Sequence, residues 1–299
     1  MIQAKRLGHV AFTTTDLAPA IDYYTQVVGL VLTSRDQHQA YLSTKLGQLA
    51  VELNVGSEAR CEKLTFEIAP QETAEVMQRL SDHGLKPQQR TDSSPGLADV
   101  ISFTDPKGTT IELFSQWQSL GKQHHAAGVG PIKIGHLAYV TPDPKGVASF
   151  YEQVLGFRVS DWIEDLFVFL RCNTDHHTVN FVKGDATTMH HFAFELRDFG
   201  HIQNACELLG QRDIPILWGP LRLGPGHNIA IFHKNQDGQV VEFYCELDRM
   251  LDEELGYFEP RPWHRDLPQR PKVWNRTQGS IWGVPPSPGF PRNFSRPPA

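Results

Sequence analysis

The feature that most constrains this chain is that it repeats itself. AIDYYTQVVGLVLTSRD (20–36) aligns without a gap on VASFYEQVLGFRVSDWI (147–163), an offset of 127, and the same offset carries Gly8-His9 onto Gly135-His136. DPKGTTIELF (105–114) matches NQDGQVVEFY (235–244) at an offset of 130, and LTFEI (64–68) matches FAFEL (192–196). Similar local sequences meet similar local constraints, so the two halves must fold alike. In the second copy Val147, Phe150, Tyr151, Val154 and Leu155 keep the i, i+3, i+4, i+7, i+8 spacing of a helix with one buried face. Gly156 then supplies the left-handed residue that ends it. Ala20, Tyr23, Tyr24, Val27, Val28 and Gly29 hold the same places in the first copy.

Each half doubles again into a strand, a helix and about three strands. In the second half the pattern predicts strands over 133–140, 157–163, 166–172 and 177–183 with a helix over 145–155. It then predicts a strand over 190–196, a helix over 199–210 and strands over 214–219, 228–234 and 239–246. Four βαβββ units result, an α+β fold of tandem modules forming two curved-sheet, barrel-like domains over 1–120 and 132–250. GKQHHAAGVGP (121–131) reads as the linker. From 251 to 299 runs a tail whose last 43 residues, 257–299, hold ten of the 21 prolines, which excludes regular helix and central strand. It also carries Trp263, Trp274, Trp282 and Phe290, so it is expected to wrap over the domains or a neighbouring subunit.

A net charge of −6 and no basic run argue against a nucleic-acid partner. No apolar stretch is long enough to span a membrane, and MIQAKRLGHVAF lacks the apolar core of a signal peptide. The four scattered cysteines form no CxxC and point to a reducing cytoplasm.

Most of the 14 histidines lie beyond residue 130. His136 and His191 open strands that the repeat makes equivalent. Glu242 lies in VVEFYCE, where Val241, Phe243 and Cys245 face one way and Glu242, Tyr244 and Glu246 the other. Two imidazoles and one carboxylate are a ligand set for divalent iron or manganese with open positions. They leave the ion at +1, ready for an anionic chelating substrate. A lone strand histidine is usually structural, but the first half acts as a control. Its equivalents are His9, Lys63 and Glu112, and an ammonium cannot ligate.

The four βαβββ units, with GH, HHFAFE and VEFY in this order in the second half, resemble the type I extradiol ring-cleavage dioxygenases of the vicinal oxygen chelate superfamily. The resemblance covers residues 5 to about 250. It implies Fe(II), with Mn(II) as the less common choice, held by His136, His191 and Glu242, and a catechol-type aromatic diol cleaved next to its hydroxyls with O2. It assigns the ligand role to His191 and turns His190 away. CNTDHHTVNF (172–181) resembles the stretch that supplies a histidine near the oxygen site, here His177, supporting charge on bound oxygen. Family habit implies a homo-oligomer.

Two positions depart from the family pattern. Its acid–base histidine falls on Leu223, and its tyrosine near the substrate oxygen falls on Phe232. His227, in GPGHNIAIF, stands four residues after Leu223 and is the candidate replacement. Phe232 and Tyr244 are candidate substrate contacts. These departures keep two alternatives open: a non-oxidative metal-dependent lyase, isomerase or hydrolase on the same scaffold, and a protein that binds a small aromatic molecule.

Overall fold

The computed structural model describes residues 2–91, 93–121 and 127–291. Residues 122–126 of the predicted linker and 292–299 of the tail lie outside the described residues.

The first unit is β1 (Ala4–Thr14), α1 (Leu17–Asp22, continued by a π-helical turn over Tyr23–Val28), β2 (Val31–Arg35), β3 (Gln39–Ser43) and β4 (Leu49–Val55). The second is β5 (Arg60–Ile68), α2 (Thr73–Asp82), β6 (Gln88–Arg90), β7 (Val100–Thr104) and β8 (Thr110–Phe114). The third is β9 (Lys133–Thr141), α3 (Pro144–Leu155), β10 (Arg158–Ile163), β11 (Phe167–Arg171) and β12 (Val179–Lys183). The fourth is β13 (Thr188–Glu195), α4 (Phe199–Gln211), β14 (Trp218–Leu223), β15 (Ile229–Lys234) and β16 (Val240–Cys245).

Helix α3 shows why the sequence forms these elements. The Asp143 carboxylate accepts from the Gly146 N–H, Pro144 occupies the first turn, and Gly156 ends the helix at φ 70°. Strand β14 differs from the expected 214–219. Pro215 has no N–H for a ladder, and pairing with β15 runs instead from Trp218 opposite Phe232 to Arg222 opposite Ile229.

The sheet orders are β2-β3-β4-β1-β5-β8-β7-β6 in the first half and β10-β11-β12-β9-β13-β16-β15-β14 in the second. The opening strands of paired units thus lie side by side at the centre, antiparallel, each flanked by its own unit's last strand in parallel. The halves share one core. Phe12 packs on Phe192 at a centroid distance of 4.6 Å, Phe66 on Phe157 at 5.5 Å, and the buried Tyr23 hydroxyl lies 2.7 Å from His233 Nε2.

The tail packs on the second half. β17 (Met250–Asp252) pairs with β18 (Tyr257–Phe258). β19 (Lys272–Trp274) adds in parallel to β10, and β20 (Ser280–Gly283) adds antiparallel to β14. Both edges of that sheet are therefore covered by chain that is itself too short and proline-rich to be a good template. Among the described residues, no helix is long and apolar enough to cross a membrane.

Candidate metal centre

Three adjacent central strands carry the site. Across them His136 on β9 stands opposite Ala193 on β13, and Ala193 stands opposite Glu242 on β16. Between the imidazole and the carboxylate lies only a methyl group, so both side chains lean over Ala193 and meet. His136 Nε2 is 3.0 Å, and His191 Nε2 3.2 Å, from the same oxygen, Glu242 Oε2. All three residues are buried, and their ligand-type atoms lie within 4.8 Å of one another. Burial pushes the Glu242 carboxyl up, but the two imidazoles outweigh it and hold its pKa at about 2. Burial lowers the His191 pKa against the opposing pull of Glu242, so this ring favours its neutral, ligating form. The donor set fits a divalent cation: one fixed carboxylate and two neutral nitrogens converge in a buried pocket.

The second carboxylate oxygen, Glu242 Oε1, accepts from Asn228 Nδ2 at 2.8 Å. This orienting contact was missed by sequence reasoning. An asparagine after Gly-Pro-Gly-His reads as turn chemistry, and no signal in the sequence marks it.

His190 overturns an expectation. It does not turn away: it lines the cavity with His191, its Nδ1 2.7 Å from His191 Nδ1. The register jumps from Met189 opposite Tyr139 to His191 opposite Ala138, so His190 is an extra residue in a β-bulge. A bulge breaks the alternation on which the expectation rested. Burial drives the pKa of His190 well down.

The cavity beside the three residues has a volume of about 120 Å³. His177, Leu223 and Phe232 line it, with Ile163, Leu166, Phe167, Phe169, Val182, Trp218 and the tail's Phe290. His177 packs edge-on against His136 at 4.3 Å between centroids. Its pKa is driven well below 6.5, by burial first and then by the neighbouring imidazoles.

Two predicted residues are not brought to the cavity. The Tyr244 ring lies under His136 at 4.9 Å, fully buried, with its hydroxyl unpartnered against Gly135. It is a support for His136, because its strand position leaves it below the imidazole. His227 adopts φ +49° and places Nδ1 2.6 Å from Asp248 Oδ2, beside Trp263 and Trp274. His227, Asp248 and His264 also bring ligand-type atoms within 4.8 Å. However, His264 Nδ1 accepts the Arg261 N–H, which leaves the proton of a neutral ring on Nε2, the atom facing Asp248. That cluster is a latch holding the tail to the body.

In the first half an ammonium stands at the place that His191 holds in the second. Lys63 Nζ lies 2.9 Å from Glu52 Oε2, 3.1 Å from Glu112 Oε2 and 3.3 Å from the Ser93 and Ser94 hydroxyls. His9 Nε2 is 3.6 Å from Glu52.

The family model for the Glyoxalase/Bleomycin resistance protein/Dioxygenase superfamily matches residues 6–113 and 133–243, most of the chain and both halves of it. The chain belongs to this superfamily. Its α+β architecture of paired modules is the superfamily's fold. The chain is 23% identical to a metapyrocatechase of Pseudomonas sp. (strain CF600), over 80% of this chain and 85% of that protein. It is 22% identical to a manganese-dependent 2,3-dihydroxybiphenyl 1,2-dioxygenase of Geobacillus genomosp. 3, over 90% and 93%. The Mn(II)-bound glyoxalase from Novosphingobium aromaticivorans superposes with a TM-score of 0.85 at 23% identity, covering 100% of this chain and 96% of that one.

Proposed function

We propose that this superfamily member is a metal-dependent extradiol dioxygenase that cleaves the ring of a catechol-type aromatic with O2. The observation that carries the reading is the convergence of His136, His191 and Glu242 at the wall of an aromatic-lined cavity. These residues would hold Fe(II), or Mn(II), the metal in the names of two similar proteins. When bound, that ion would supply Lewis-acid activation of the diol and of oxygen. Every other task falls to the chain. Glu242, held by Asn228, fixes the charge of the site. Phe232, Trp218 and Phe290 receive the aromatic ring and exclude water. His177 faces the reacting hydroxyls and exchanges a hydrogen bond with them. Asp248 holds His227 outside the cavity, so the acid–base role does not fall to His227.

In this reading the first half holds no metal, because the Lys63 ammonium already occupies the space between Glu52 and Glu112, with the Arg90 guanidinium 3.7 Å from Glu112 as the second counter-charge. The protein would be a cytoplasmic homo-oligomer, in keeping with four free cysteines and with the exposed Leu251, Leu267 and Val273 on the tail's outer face. A molar mass measured by light scattering above that of one chain would support assembly.

A second reading has its own observation. Leu223 and Phe232 line the cavity where the resemblance expects a histidine and a tyrosine, which suits a non-oxidative metal-dependent reaction on the same scaffold. One experiment separates them. Anaerobically purified protein is assayed for iron and manganese, then for oxygen uptake with mono- and bicyclic catechols. One metal per chain with stoichiometric uptake and a yellow product supports ring cleavage. One metal per chain without uptake selects the non-oxidative reading.

A further inference from the structure

A buried chain of hydrogen bonds runs from the cavity to the tail and uses residues with no role so far. His177 Nδ1 lies 2.9 Å from His176 Nδ1, and His176 Nε2 lies 3.0 Å from Asp161 Oδ2. Asp161 is buried on β10 and receives two further N–H groups, the Lys272 amide on Oδ1 at 2.8 Å and the Trp274 indole on Oδ2 at 2.6 Å. Both of those come from the tail strand β19. His176 and His177 are 1% and 3% exposed, and the His176 ring lies on Phe258 at 5.0 Å. A Cβ on Gly226, at φ +75°, would come within 3.1 Å of His176 Nδ1 and 3.2 Å of His177 Cε1. Glycine is therefore the residue that lets the loop close over this contact.

With both rings neutral, the donor inventory fixes the direction of every hydrogen bond in the chain. An amide and an indole can only donate, so Asp161 presents acceptors on both oxygens, as an ionised carboxylate does. His176 must then donate from Nε2. A neutral ring with its proton on Nε2 has a bare Nδ1, so His177 must donate from its own Nδ1. The bare nitrogen of His177 is then Nε2, the one left for the cavity. We propose that Asp161 and His176 are positioning residues that lock His177 in the tautomer with an unprotonated Nε2 towards the cavity. His177 thus meets a ligand as a hydrogen-bond acceptor and selects a ligand whose hydroxyl still carries its proton. The inference rests on the proposed diol chemistry for its purpose, but not for its geometry.

The test reads the tautomer directly. Full-length protein labelled with 15N-histidine is studied by long-range 1H–15N correlation, metal-free and loaded with diamagnetic Zn(II). The expected result for His177 is a protonated Nδ1 and a pyridine-type Nε2. Asp161→Ala removes the acceptor of His176 Nε2, so nothing fixes the proton of that ring and His177 should show both tautomers. Trp274→Phe removes one tail contact but leaves the dyad, and should leave the tautomer unchanged. A protonated Nε2 in the unmodified chain would overturn the proposal. So would an unchanged tautomer in a folded Asp161→Ala variant, or the same mixture in Trp274→Phe. None of these readings needs turnover or oxygen, so failure of ring cleavage in the catechol assay would be a separate result.

Discussion

At the scale of single residues, the candidate site depends on groups outside the set His136, His191 and Glu242. Asn228 is the only described hydrogen-bond donor on Glu242 Oε1, and losing such an orienting contact typically weakens metal affinity on the order of 10–100-fold. Asn228→Ala should show that loss in a metal titration with an unchanged circular dichroism spectrum; equal affinity would mean the contact is incidental. His233 makes a different prediction. Burial alone lowers its pKa from 6.5 to about 3. Between those values the unfolded chain binds a proton that the folded chain refuses, so stability falls as pH drops from about 6.5 towards 3. The urea midpoint should fall between pH 7.5 and pH 5, and by less in His233→Phe. Carboxylates held near 2, such as Glu52 and Glu242, lose their contribution mainly below pH 4.5. They confuse the comparison little at pH 5.

At the scale of elements, the Gly-His pair that opens β9 has a packing cause. A Cβ at position 135 would lie 1.9 Å from the Tyr244 hydroxyl, and one at Gly8 would lie 2.5 Å from Phe114 Cε1. Each half therefore keeps glycine where an aromatic of the nearby closing strand crosses its opening strand. Gly135→Ala should cost about 1–3 kcal/mol, the usual range for overpacking, and should displace His136 and reduce metal content. Tyr244→Phe removes a buried hydroxyl without a partner, so by itself it should be neutral or mildly stabilising. The double variant should recover part of the lost stability in thermal melts. If it recovers none, the clash lies with the ring and not with the hydroxyl.

At the scale of the whole molecule, the tail completes the second half. It supplies both outer strands of a ten-stranded sheet, the buried Trp274 and Phe290, and two of the three donors to Asp161. A chain ending at residue 259 would expose both sheet edges and lose roughly 2–3 kcal/mol for each buried aromatic. It should melt lower and elute as aggregates in size-exclusion chromatography. A monodisperse truncation of equal stability would show that the body protects its own edges.

The sequence by itself determined the repeat and the four βαβββ units, and it singled out His136, His191 and Glu242, whose ligand-type atoms the fold brings within 4.8 Å of one another. These are local patterns read twice, and duplication turns each half into a check on the other. Lys63 was legible for that reason: one charged residue breaks an otherwise matched set. Only the tertiary structure decided the rest. The bulge that brings His190 to the cavity is a register shift between strands, and sequence alternation is blind to it. The diversion of His227 depends on Asp248 and the tail latch, which lie 21 and 37 residues away along the chain. Asn228 reaches Glu242, and Asp161 meets Trp274, across neighbouring strands. Side-chain direction at such places is set by what the fold brings alongside, and no periodicity within a segment records it.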